Sequence, residues 1–133
     1  MAELDAAVFV IDCLPNMGSA EVSERVEPLV HTLRKARPQT PIVLAEDRTY
    51  GNAFLVESSR QRNETSRAAL AKAYENLMAA EVPELHYLPG DDQLGDDNLG
   101  TVDGSHPTDL GFMRMADAFA PVLEPLTRAD DIP

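Results

Sequence analysis

Asp103 stands three residues before His106 in the segment Asp103-Gly104-Ser105-His106-Pro107-Thr108-Asp109-Leu110-Gly111, a loop about to enter a helix. A carboxylate and an imidazole at this spacing can move protons. The carboxylate holds the ring in one tautomer, and the other ring nitrogen takes a proton from a nucleophile. These are two members of a catalytic triad. The third, a serine on its own glycine-flanked turn, is not evident. Read alone, the pair also admits a plainer reading: an Asx-type turn followed by a histidine at a helix terminus.

Other reactive side chains add little. Ser105 adjoins His106, but adjacent side chains in an extended loop point apart, so a Ser–His hydrogen bond is not expected. Ser58 and Ser59 lack the tight glycine turn that presents a nucleophile. Cys13, the single cysteine, closes an apolar strand and reads as a buried inert thiol; it also rules out an internal disulfide. Asp91, Asp92, Asp96, Asp97 and Asn98 suggest calcium at first sight. A calcium loop of the EF-hand type needs alternating oxygen ligands, a central glycine and a terminal glutamate. Adjacent Asp96 and Asp97 do not alternate, so this stretch reads as a solvated loop. His31 lies on a polar helix face and His86 within a strand, neither with a partner at metal-ligand spacing. No metal and no cofactor are expected. Arg48 is a candidate to grip a substrate carboxylate or carbohydrate, and is equally placed to pair with Glu46 or Asp47.

Three strand–helix units must position these groups. Ala6–Ile11 is a continuous apolar run, the type buried on both faces of a parallel sheet. Val22, Val26, Leu29, Val30 and Leu33 then recur at helical spacing, with Ser19 as a plausible N-cap and Pro28 predicting a kink or a lost bond. Residues 42–45 form a second buried strand, with Pro41 tolerated at its start. A second helix is predicted over about 59–80. Leu70, Ala73, Tyr74 and Leu77 face inward, while Arg60, Arg62, Arg67 and Lys72 stay wet. Residues 85–88 form the third strand, stopped by Pro89-Gly90. The last helix starts near Thr108.

Strand–helix alternation predicts an α/β fold, an open parallel sheet with right-handed crossovers and helices on both faces. Ligands in such sheets bind beyond the carboxyl ends of the strands. Asn16, Arg48 and the Asp103–His106 loop all follow strands and share that edge.

The D-G-x-H-P block before a helix resembles the last sequence block of the SGNH hydrolases, also called GDSL-type esterases. Asp12-Cys13-Leu14-Pro15-Asn16-Met17, Glu46-Asp47-Arg48-Thr49-Tyr50 and the run from Asp103 to Ala116 are similar to a bacterial GDSL-like subfamily. In that family a serine lies in an N-terminal G-D-S block, a glycine in the second block and an asparagine in the third. The three together form the oxyanion hole. The resemblance implies His106 as base, Asp103 as its orienter and Asn16 as an oxyanion donor. Asn16 departs from the usual G-x-N-D pattern, because it follows Pro15 and has no aspartate after it.

The first two blocks have no counterpart here, and the chain opens at what resembles the third strand. Residues 1–133 are therefore expected to be the C-terminal part of a single SGNH domain. The expected fold is flavodoxin-like but incomplete, with about three strands and three helices. The implied function is the C-terminal portion of a serine ester hydrolase acting on small acyl or carbohydrate esters, inactive alone. The alternative is a non-catalytic truncated or partner-complementing α/β module. A response-regulator-like domain fits less well: Asp12 follows the first strand, but the paired acids and the lysine after the last strand are missing. The family's strand order, 2-1-3-4-5, normally places the strand at 6–11 beside the first strand. Without that neighbour its apolar edge carries no lysine or proline to block pairing, so self-association through residues 6–11 is expected.

Composition sets the outer bounds. A chain of 133 residues with 44% apolar residues forms at most one domain. It is long enough to bury roughly two-thirds of its unfolded surface. Net charge is −12, from Asp+Glu 23 against Lys+Arg 11. Phosphate backbones and anionic membranes would repel it, so nucleic acid and membrane are not expected partners; a small-molecule ester is. No basic start precedes an apolar stretch, and no run is long enough to span a bilayer, so as written the chain reads as cytoplasmic.

Overall fold

The computed structural model describes residues 1–127. Chain order is β1 (Phe9–Ile11), a short 3-10 turn (Leu14–Asn16), α1 (Ser19–Ala36), β2 (Ile42–Ala45), α2 (Glu57–Ala79), β3 (Leu85–Leu88) and α3 (Asp109–Thr127). The three strands form one parallel sheet in the order β1-β2-β3. Ile11 is in register with Leu44, and Leu44 with Tyr87.

Side chains alternate across the sheet, so each strand feeds two cores. Phe9, Ile11, Ile42, Leu44 and Leu85 pack against Val22, Val26, Val30 and Leu33 of α1 and Leu70 and Leu77 of α2. Val43, Ala45 and Leu88 face the other way and meet Phe119, Val122, Leu123 and Leu126 of α3. Helices thus cover both faces, as the strand–helix alternation predicts. β2 is buried along its whole length because it is the central strand. Each fully buried aliphatic side chain of this kind contributes about 1.5–3 kcal/mol.

Several local expectations are corrected. Strand β1 pairs only over Phe9–Ile11, because the ladder opens with the Phe9 N–H donating to the Pro41 carbonyl at 2.9 Å. The cap of α1 is Gly18, not Ser19: the Glu21 carboxylate accepts the Gly18 N–H at 3.0 Å. Pro28 sits inside α1 without ending it. Its position on the exposed face leaves the unpaired carbonyl one turn earlier to water. Helix α2 spans Glu57–Ala79, beginning two residues before the predicted start. Among the described residues, no helix is long and apolar enough to cross a membrane.

Candidate active site

Because the strands are parallel, the segments leaving β1, β2 and β3 emerge at one edge of the sheet. The N-terminal half of α2 ties them together. Its inward stripe is apolar at Leu70, Ala73 and Leu77 but polar at Asn63 and Ser66, and all five are buried. The Asn63 side chain donates to Asp47 Oδ2 at 3.2 Å and to the Arg48 carbonyl at 3.0 Å. Its Oδ1 accepts the Tyr50 N–H at 2.9 Å. One buried amide thereby fixes the segment after β2.

Arg62 and Arg67 flank this asparagine and are not wet, contrary to the sequence expectation. Arg62 donates to the Pro15 carbonyl at 2.8 Å and to the Tyr50 hydroxyl at 3.2 Å, joining the segment after β1 to the segment after β2. Arg67 donates to the Asp47 carbonyl at 2.9 Å, to Thr49 Oγ1 at 2.8 Å and to Asp91 Oδ1 at 2.6 Å. That last contact brings in the segment after β3. The long arginine stems cover apolar surface while their heads satisfy carbonyls the loops leave unpaired.

The loop carrying the Asp–His pair is closed on itself. Thr101 and Pro107 form an isolated antiparallel bridge, and the Val102 N–H donates to the His106 carbonyl at 2.9 Å. Thr108 caps α3: its hydroxyl accepts the Gly111 N–H at 3.1 Å and donates to the Leu99 carbonyl at 2.9 Å. Within the loop, Asp103 Oδ2 lies 2.7 Å from His106 Nδ1. Asp103 Oδ1 accepts the N–H groups of Ser105 at 3.0 Å and of His106 at 2.9 Å. The His106 and Ser105 backbone donors, followed by the ring, hold the Asp103 carboxyl well below the usual carboxylate range. An ionised carboxylate only accepts, so Nδ1 donates, and in the neutral ring the lone pair falls on Nε2. The His106 side chain is 76% exposed, which leaves Nε2 accessible.

Arg48 sits directly beneath this loop. Its Nε donates to the Ser105 carbonyl at 2.7 Å and its Nη2 to Ser105 Oγ at 3.4 Å. The side chain is nearly buried, beside a fully buried Asp47 whose Oδ1 lies 3.9 Å from Nη1. Asp47 Oδ1 has no hydrogen-bond partner, and burial pushes the Asp47 carboxyl up. Ser105 Oγ is turned to Arg48, although the loop is a closed turn and not the extended segment expected from sequence.

Asn16 ends the 3-10 turn after β1 and is exposed on the same edge. Asp91, Asp92, Asp96, Asp97 and Asn98 are exposed, as expected of a solvated loop, but the stretch is also pinned to the fold. Arg114 of α3 binds Asp97 through both carboxylate oxygens at 2.7 Å, Arg67 binds Asp91, and Gln93 is buried with its amide on the Glu46 and Pro89 carbonyls. Among the described residues, no group of three or more His, Cys, Asp or Glu is arranged to hold a metal ion. A depression of about 540 Å³ opens between the 49–54 and 91–98 segments, lined by Tyr50, Phe54, Asp92 and Asp96 among others. Its lining includes neither Asp103 nor His106, so the Asp103–His106 pair stands outside it.

Asn63, Arg62, Arg67 and Arg114 were not legible as site residues from composition or motif. One signal was present: positions 63, 66, 70, 73 and 77 follow helical spacing, so the buried stripe runs on through two polar residues. A buried asparagine at the end of such a stripe must hydrogen-bond to whatever backbone lies beside it.

Comparison with known proteins agrees with this architecture. The model of the GDSL-like lipase/acylhydrolase family matches residues 1–124. The crystal structure of a candidate GDSL-like lipase from Bacteroides ovatus superposes with a TM-score of 0.90 at 34% identity, over 94% of this chain and 37% of that one. The salicylyl-acyltransferase SsfX3 of a tetracycline biosynthetic pathway superposes with a TM-score of 0.72 at 18% identity, over 96% of this chain and 40% of that one. The second likeness is one of fold alone. The chain spans about two fifths of the length of either protein. No curated protein matches the chain.

Proposed function

Because the chain belongs to the GDSL-like lipase/acylhydrolase family, we propose that it carries the base half of a serine ester hydrolase, acting on small acyl or carbohydrate esters. The observation that carries this reading is the 2.7 Å contact between Asp103 Oδ2 and His106 Nδ1, with Nε2 left open to solvent. In the proposed mechanism a serine hydroxyl attacks the ester carbonyl and Nε2 takes its proton. Asp103 stabilises the imidazolium that results. The proton then passes to the departing alcohol, and water repeats the cycle on the acyl-enzyme. Asn16 is proposed to donate to the tetrahedral oxyanion, an interaction worth on the order of 3 kcal/mol.

The nucleophile is proposed to come from polypeptide outside these 133 residues. Ser105 Oγ is engaged by Arg48, Ser66 Oγ donates to the Arg62 carbonyl, and Ser58 and Ser59 lie in the first turn of α2. None stands on a nucleophile turn. The same observation favours a second reading, in which the chain is a non-catalytic module that complements a partner.

Hydrolysis of p-nitrophenyl acetate separates the readings. The chain alone should show no turnover above background, and the chain extended N-terminally by a segment bearing the G-D-S block should turn over. A triad enzyme without its serine retains only about 10³–10⁴-fold over water. Turnover by the 133-residue chain that a serine-directed organophosphonate abolishes would refute the placement of the nucleophile, and the adduct would identify the serine. An inactive extended form would support the non-catalytic module.

A further inference from the structure

We infer that Arg48 is a positioning residue, one that locks the His106 loop onto the end of β2 and does not itself grip substrate. The inference rests on the catalytic reading of His106 for its functional meaning. Its structural content stands on the contacts of Arg48 alone.

Arg48 and Ser105 are 57 residues apart in sequence, yet Nε reaches the Ser105 carbonyl at 2.7 Å, and Nη2 reaches its hydroxyl at 3.4 Å. Ser105 is the residue immediately before His106. A charged donor on a backbone carbonyl is among the stronger hydrogen bonds available to a loop. The other end of the lever is equally fixed. The Arg48 carbonyl accepts from Asn63, the Arg48 side chain is nearly buried, and Nη1 faces the otherwise unpartnered Asp47 Oδ1. Core helix, β2 end and histidine loop are thus connected through one side chain.

A guanidinium suits this task and an ammonium does not. The planar fork spans the Ser105 carbonyl, the Ser105 hydroxyl and the Asp47 side at once, whereas lysine offers one point charge on a shorter reach. A second lock lies beside the first. The Gly51 N–H donates to the Gly104 carbonyl at 2.8 Å. Gly104 has φ +97 and packs so tightly on Asn52 that a Cβ there would stand 2.7 Å from the amide. The loop rests on the 48–52 segment through Arg48 and through this backbone contact.

Backbone amide exchange on the chain tests the inference. Arg48→Gln should speed exchange at Gly51 and Val102 at least tenfold relative to wild type, with Val43 and Leu44 of the central strand unchanged. Ser105→Ala, which keeps the carbonyl, should change these rates less than threefold. Should Arg48→Gln fail to fold, Arg48→Lys decides, and its expected effect is also a tenfold or greater loss of protection at Gly51. Unchanged protection at Gly51 and Val102 in the folded variant overturns the inference. In an ester-hydrolysing extended form, Arg48→Gln and Arg48→Lys should each lower kcat at least tenfold with KM within threefold. A raised KM with kcat retained would return Arg48 to substrate binding. Normal turnover by His106→Ala would sink the catalytic reading while leaving the exchange result standing.

Discussion

Asp103 and His106 are joined twice: one carboxylate oxygen lies 2.7 Å from the ring nitrogen, and the other accepts the backbone N–H of the same histidine at 2.9 Å. The first contact sets the tautomer and the second sets where the ring starts from the backbone. An Asx-type turn and a general-base pair are therefore not competing descriptions of this segment. The turn is the device that orients the ring, and in the proposed mechanism that ring is the base.

This double hold has a pH signature. The folded carboxyl titrates below its unfolded value of about 3.9. Its contribution to loop order is thus fully present above that unfolded value, and is lost as pH falls through the lower folded value. The Asp103 carboxyl carbon, followed by NMR, should titrate with a midpoint below that of an ordinary aspartate, and the Ser105 and His106 amides should keep their protection at pH 4. A midpoint near 4 would mean that the three hydrogen bonds are not formed in solution.

Gly111→Ala sets two effects against each other. Alanine gains up to about 1 kcal/mol over glycine within a helix, and less in the first turn, where Gly111 stands. Here, however, a Cβ would stand 2.0 Å from the Gly100 carbonyl oxygen, a backbone atom that cannot swing aside. Overpacking of this kind costs about 1–3 kcal/mol, so the net effect should be destabilising. It should also disturb the Thr101–Pro107 bridge. A variant with raised thermal stability and unchanged loop chemical shifts would contradict this packing.

Asn63→Ala removes three hydrogen bonds at once and leaves Asp47 Oδ2, the Arg48 carbonyl and the Tyr50 N–H without their partner. Each orphaned buried group costs about 1–3 kcal/mol, so urea unfolding should show a loss of about 3 kcal/mol or more. A loss under about 1 kcal/mol would show that water replaces the amide freely.

How far this site was legible in sequence follows from the kind of signal each residue gives. The Asp103–His106 contact is local, so spacing alone exposed it. Residues 42–45 and 85–88 stood out as strands because short apolar runs bounded by proline and glycine leave few alternatives. Arg48 and Arg62 gave no such sign. Their partners, Ser105 and Pro15, are distant in sequence, and an arginine on a polar stretch looks the same whether its head is in water or on a carbonyl. The shortened β1 was hidden for a related reason. An apolar run marks burial, while strand length is set by where the neighbour's backbone begins.

The outer edge of β1 supplies another test. Phe9 faces β2, so by the parallel pattern Val8 and Val10 present their backbone groups to the open side, where no strand pairs among the described residues. Self-association through residues 6–11 is the expected outcome for the purified chain, against the repulsion of its −12 charge. Sedimentation should show a concentration-dependent dimer or larger species. A stable monomer with strong amide protection at Val8 and Val10 would show that this edge is satisfied within the chain.

The central claim, that His106 moves the proton in ester hydrolysis, is tested most directly by the turnover of an N-terminally extended, serine-bearing form with and without this side chain. His106→Ala should lower kcat by roughly 10⁴–10⁶, and Asp103→Ala by less, since Asp103 orients the ring and moves no proton itself. Thermal unfolding of both should stay close to that of the parent, because both side chains stand at the surface. A His106→Ala variant that melts normally and keeps near-parental turnover would contradict the account.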